Sequence, residues 1–197
     1  MIVVFIGPPG AGKGTQAARF ARSLGVPHIA SGDLLRAASA QNTPLGREAQ
    51  TYMEAGHLVP DELTLTIVEQ RLAQPDAAIS AVLDGFPRTL QQARRLDEVL
   101  ARDGWGQVDA AVYIEAPRTV VLERMNARRR ADETPEVQAK RYDVYERDTA
   151  PLVAYYQERG VLATIDGVRA VETVTRDIAA ALAARELPLT ATTAMHE

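Results

Sequence analysis

The chain has 197 residues, 46% of them hydrophobic, enough for one substantial core with small inserted lobes. Its net charge of −4 provides no global basic field suited to duplex nucleic acid; the basic residues are clustered, as suits small anionic ligands. Cysteine is absent, which excludes disulfides and thiolate metal sites, and the three histidines (His28, His57, His196) lack metal-ligand spacing and read as ordinary polar or capping residues.

In chain order, the apolar, β-branched run Ile2 to Ile6 predicts a buried strand that breaks into a loop holding Gly7, Gly10, Gly12 and Gly14. Such glycines let successive N–H groups point inward around an anion. Lys13 adds an ammonium, and the following helix turns its positive end toward the same place. Further strands are expected at about 27–30, 80–84, 109–115 and 161–166, with helical patterns between them. This alternation predicts a parallel sheet with helices on both faces and ligands outside the carboxyl ends of the strands. Residues 31–73 carry about three helical stretches, enough for a small lobe, and 128–137 form a short charged stretch between two helical patterns. Beyond Leu187 the tail lacks periodicity and is expected to be disordered. No segment reaches the ~18 apolar residues of a membrane span and no signal peptide precedes the first strand, so the expected location is cytoplasmic, away from membranes.

The spacing Gly7-x4-Gly12-Lys13 after a strand fits the P-loop pattern. The residue after the lysine is Gly14 rather than Ser or Thr, and Thr15 follows. This variant resembles the nucleoside monophosphate kinases, adenylate kinase above all, and argues against most GTPases and motor ATPases. Ser31-Gly32-Asp33-Leu34-Leu35-Arg36 and Asp84-Gly85-Phe86-Pro87-Arg88-Thr89 resemble two further motifs of that family, in the expected order. From the residues themselves, Ser31 is expected to cap a helix with Arg36 about one turn in. Arg88 follows a strand end through a Gly-Phe-Pro turn. Two guanidiniums can bracket a nucleotide α-phosphate bidentately, as lysine cannot.

The resemblance spans roughly residues 1–183, including Leu58–Leu63, Thr149–Leu152 and Asp166-Gly167. It implies a P-loop NTPase-type α/β fold with a five-stranded parallel sheet. One domain would cover 1–187, with core 1–30, 61–124 and 139–187, a helical NMP-binding lobe at 31–60 and a lid at 125–138; 188–197 would be tail. The lid has only about a dozen residues, which implies the family's short form without a zinc-bearing β-domain.

The resemblance also implies the reaction MgATP + AMP ⇌ MgADP + ADP, by in-line transfer in a closed, water-excluding site. The ATP side would comprise Gly10, Ala11, Gly12, Lys13, Gly14, Thr15, Arg124, Arg128 and Arg169. The AMP side would comprise Ser31, Gly32, Arg36, Met53, Gly56, Val59, Gly85, Phe86, Arg88 and Gln92, with Arg130 and Arg141. Lys13, Arg88, Arg124, Arg128, Arg130 and Arg141 would neutralise charge on the transferring group. Arg129 has no such counterpart and reads as a surface charge; Asp132, Glu133 and Glu136 stand close enough in sequence to pair with these arginines. Asp84, shared with Asp33, would hold Mg2+ through water. A monomer acting on ATP, AMP and ADP is expected, with no nucleic-acid partner.

Acceptor choice rests on Arg88-Thr89-x-x-Gln92, which resembles AMP-specific members; UMP/CMP kinases, the alternative, tend to show asparagines at both corresponding places. A non-catalytic nucleotide switch would have little need of so many arginines.

Overall fold

The computed structural model describes residues 1–77, 79–128, 134–185 and 187, and of Arg128 the backbone alone. Five strands, β1 (Ile2–Ile6), β2 (His28–Ala30), β3 (Ala81–Asp84), β4 (Ala110–Glu115) and β5 (Leu162–Asp166), form one parallel sheet in the order β2-β3-β1-β4-β5. Each lies within a residue of its sequence-based position. The glycine loop leaves the central strand, which places it between the ends of β3 and β4.

Because side chains alternate along a strand, β1 feeds two cores at once. Ile2, Val4 and Ile6 join one cluster with Leu65, Leu96 and Tyr156; Val3 and Phe5 join another with Phe20, Ile178 and Leu182. The helices behind the first cluster are α4 (Asp61–Leu72), α5 (Leu90–Arg102) and α8 (Pro151–Glu158); behind the second are α1 (Lys13–Leu24) and α9 (Val171–Ala183). Each fully buried Ile, Val or Phe contributes about 1.5–3 kcal/mol by leaving water, which makes β1 the best-anchored element of the fold.

The remaining helices are α2 (Ser31–Ala40), α3 (Pro44–Glu54), α6 (Arg118–Arg128) and α7 (Pro135–Val144). Helices α2 and α3 pack on each other around a separate small core of Leu35, Ala49 and Val59. Thr43 starts α3, its hydroxyl accepting the Gly46 N–H at 3.0 Å ahead of Pro44. Between α7 and α8 the chain makes a π-helical turn, Tyr145–Thr149. Pro151 explains it: proline has no N–H, and its ring would crowd the carbonyl four residues back. The helix widens instead, and the Ala150 N–H reaches the Tyr145 carbonyl at 2.9 Å.

Candidate active site

The carboxyl ends of β1, β2 and β3 open into a cleft of about 750 Å3. The loop after β1 forms one wall. Gly7 has φ +140°, and a Cβ there would run into the Ile114 carbonyl of β4, so only glycine lets the chain turn out at this point. Gly10, Gly12, Lys13, Gly14 and Thr15 line the cleft. Lys13 Nζ donates to the carbonyls of Gly7 and Pro8, both at 2.8 Å, which holds the ammonium across the loop. A Cβ on residue 14 would stand 3.2 Å from Asp84 Oδ2, a physical reason for glycine where the common pattern has a hydroxyl residue.

The opposite wall comes from α2, α3 and the turn after β3. Ala30 and Asp84 are paired in register, so the residues that follow them, Ser31 and Gly85, are neighbours. Ser31 Oγ donates to the Gly85 carbonyl at 2.6 Å. Gly85 has φ +68° and sits under the Arg88 guanidinium; a Cβ there would come within 2.9 Å of Arg88 Nη2. Arg88 is held by its Nε donating to the Gly85 carbonyl (2.6 Å) and its N–H donating to Gln92 Oε1 (2.7 Å). Arg36 pairs with Asp33 on the same helix. Gly32, Met53, Gly56 and Val59 complete this wall. Arg141, on α7, donates from Nη2 to the Met53 carbonyl at 3.2 Å and so ties α7 to α3 across the opening. Arg124, on α6, donates to the carbonyls of Gly167 (2.7 Å) and Val168 (3.3 Å) after β5.

Charge converges on one spot. Burial lowers the Arg88 guanidinium from its ordinary value; Asp84 opposes this, while Arg141 and Arg36 add to it. Burial alone would raise the Asp84 carboxyl, but His28 and the positive charges of Lys13 and Arg88 outweigh it and hold the group below the usual carboxylate value. His28 Nε2, itself buried, lies 3.5 Å from Asp84 Oδ2. The spot therefore combines one ionised carboxylate with several cations, an arrangement that favours a polyanion with a bound cation. Among the described residues no three His, Cys, Asp or Glu side chains are grouped to hold a metal by themselves.

A sequence profile described as adenylate kinase matches residues 5–161. An adenylate kinase of Nocardia farcinica is 51% identical over 174 residues, covering 88% of this chain and 94% of its own. Adenylate kinase 1 of a Nostoc species is 47% identical over 180 residues, 91% of this chain and 97% of that one.

This chain belongs to the adenylate kinase family. It is an enzyme, a phosphotransferase of the ATP:AMP class, and the five-stranded parallel sheet with helices on both faces is the family's α/β fold.

Among the described site residues expected from sequence, Ala11, Phe86 and Arg169 are not among those lining the cleft. Ala11 is 3% exposed and packed in the core. Phe86 is 1% exposed and lies under the turn in the core cluster with Leu83 and Leu96, its peptide to Pro87 being cis. Ser31 does not cap α2; it lies inside the first turn, and its hydroxyl is drawn to the Gly85 carbonyl because β2 and β3 end side by side. Arg169 stands outside the cleft wall, paired with Asp166 (3.3 Å) and Asp177 (3.0 Å). Arg130, with Arg129, Asp132 and Glu133 of the expected lid, lies outside the described residues, as do the Arg128 side chain and the tail 188–197. Conversely, the cleft contains His28, read from sequence as an ordinary polar residue, and Thr149, which lies in the quoted Thr149–Leu152 stretch but was given no role in the site. Asp61, inside the quoted Leu58–Leu63 stretch, accepts from Thr89 Oγ1 (2.8 Å) and Gln92 Nε2 (2.7 Å).

Proposed function

We propose that the cleft takes MgATP on the glycine-loop side and AMP on the α2–α3 side, with the γ-phosphoryl group transferred directly between them. Convergence of Lys13, Asp84 and Arg88 at the adjoining ends of β1 and β3 carries this reading. Residues 31–60 act as the NMP-binding lobe and 125–138 as a short lid.

In this reading the loop N–H groups and the positive end of α1 bind the donor phosphates. Lys13 gives up its two loop carbonyls for phosphate oxygens, an exchange of neutral for charged partners that favours the ligand. Arg36 and Arg88 bracket the AMP phosphate, and Arg124 and Arg141 supply further positive charge against the negative charge on the transferring oxygens. Arg128 and Arg130 join them from the lid. Ser31, Gly32, Met53, Gly56 and Val59 enclose the acceptor nucleoside, and Gln92 reads its base. No side chain acts as a nucleophile.

Asp84 suits a magnesium ion that keeps most of its water, since such an ion needs one or two carboxylates and Asp84 is held ionised beside the phosphate loop. Asp33 lines the same cleft but is engaged by Arg36, which leaves it the lesser partner. Held there, the ion would supply positive charge that neutralises part of the phosphate charge. The enzyme works as a cytoplasmic monomer in this reading.

ADP formation from MgATP tests the proposal, measured with AMP, UMP, CMP, GMP and dTMP in parallel and with an acceptor-free blank. Strong turnover with AMP alone is the expected result. Preference for UMP or CMP would keep the mechanism and overturn the acceptor assignment; activity confined to the blank would overturn both.

A further inference from the structure

Gln92 is 1% exposed although it borders the cleft, and its carboxamide is clamped from two sides. Its Oε1 accepts the Arg88 N–H at 2.7 Å, and its Nε2 donates to Asp61 Oδ1 at 2.7 Å. The second oxygen of Asp61 accepts the Thr89 hydroxyl at 2.8 Å. That hydroxyl in turn accepts the Gln92 N–H at 3.1 Å as the cap of α5, so its proton is committed to Asp61. Nothing here can be reversed without loss. An ionised carboxylate only accepts, and a backbone N–H only donates. Rotating the carboxamide by half a turn would set NH2 against N–H and oxygen against carboxylate.

We propose that Asp61 is a positioning residue for acceptor-base choice, fixing the Gln92 carboxamide in one of its two orientations. The inference rests on the proposed contact between Gln92 and the acceptor base. A carboxamide has two N–H donors and two acceptor lone pairs; one of each is spent on Asp61 and Arg88, leaving one of each for a ligand. A freely rotating carboxamide pairs equally well with a base edge that offers amino then ring nitrogen, as in adenine, or oxo then ring N–H, as in hypoxanthine. A carboxamide held one way round discriminates between them, because the wrong edge leaves buried polar groups unpaired.

AMP and IMP differ only at this edge, and their kcat/KM ratio is the quantity to measure, in Asp61→Asn, Asp61→Ala and Gln92→Ala, with thermal melts to establish folding. Asp61→Asn keeps shape and the start of α4 while offering either a donor or an acceptor; it also serves if Asp61→Ala does not fold. The expected result is an AMP:IMP ratio reduced about tenfold or more in the folded Asp61 variants, through a raised KM for AMP, with the KM for MgATP unchanged. A merely structural role would lower stability and slow both acceptors alike, leaving the ratio at its wild-type value. If Gln92→Ala collapses the ratio and the Asp61 variants keep it, Asp61 does not orient the carboxamide. If Gln92→Ala also keeps it, the base contact itself is wrong and the inference falls with it.

Discussion

Thr149 donates its hydroxyl to the carbonyl of Arg88 at 2.8 Å, across 61 residues of sequence. The contact joins the π-helical turn after α7 to the turn that carries the central arginine of the cleft. Arg88 thus has its N–H on Gln92, its carbonyl on Thr149 and its Nε on Gly85. With its backbone pinned on both sides and its guanidinium tied to the Gly85 carbonyl through Nε, Arg88 needs little reorganisation when phosphate charge develops beside it, which is the condition for strong electrostatic catalysis.

Arg88→Ala should therefore lower kcat by about 10²–10³-fold while the protein melts cooperatively, since the side chain contributes to the site rather than to either core. Thr149→Val, which keeps the volume and removes the donor, should cost only about 1 kcal/mol of stability. Its kcat should fall less than that of Arg88→Ala. Initial rates at saturating substrates and urea melts of both variants check this. Near-normal turnover in a folded Arg88→Ala protein would remove Arg88 from the reaction.

Lys13→Met retains the aliphatic stem and deletes the ammonium that the Gly7 and Pro8 carbonyls hold. A drop in kcat of about 10²-fold or more is expected, beyond any rise in the KM for ATP. Steady-state kinetics against ATP separate the outcomes: an altered KM with unchanged kcat would assign the lysine to ground-state binding alone.

The strands and the phosphate loop were legible because β-branched runs and clustered glycines are local signals, and the observed strands start within a residue of the expected positions. Which way a motif side chain points was not legible. Ala11 and Phe86 stand within motifs yet face the core, because a loop that presents its backbone outward must turn some side chains inward. Asp61 was hidden for a different reason: an acidic residue opening a helix reads as a dipole partner, and its real partners are 28 and 31 residues away. The π-helical turn left only Pro151 as a clue. Arg169 followed an Asp-Gly turn that adjoins the donor side, but Asp166 and Asp177 hold it at the surface.

Gly46 sets two effects against each other. In a helix interior Ala is favoured over Gly by about 1 kcal/mol. A Cβ at residue 46, however, would drive into the carbonyl of Ala38, backbone that cannot step aside without parting α2 from α3. Overpacking of this kind costs about 1–3 kcal/mol, so Gly46→Ala should destabilise despite the better propensity. Because the small core of Leu35, Ala49 and Val59 lies between these helices, the KM for AMP should rise more than that for ATP. Denaturant melts and acceptor titrations decide it; a stabilised variant with unchanged KM values would show that the two helices tolerate separation.

Alkaline pH offers the last test. Burial, and then the hydrogen bond to Asp97 at 2.5 Å, push the Tyr155 hydroxyl from about 10 up to about 12. The folded protein holds this proton more tightly than the unfolded chain does. The resulting stability is fully present below pH ~10 and is lost as pH rises toward 12, because the unfolded chain releases the proton first. Tyr142, Tyr145 and Tyr156 are also shifted upward, chiefly by burial, so the wild-type protein should lose stability steeply above pH ~10. Tyr155→Phe keeps the ring under the Arg159 guanidinium, which lies 4.3 Å from its centroid, and deletes one titrating group. It should cost about 1–3 kcal/mol at neutral pH, since the lost hydrogen bond has a charged partner. Its stability should then fall less steeply with pH than that of the wild type between 10 and 12. Urea melts across that range measure both slopes, and identical slopes would show that Tyr155 releases its proton equally easily in the folded and unfolded states.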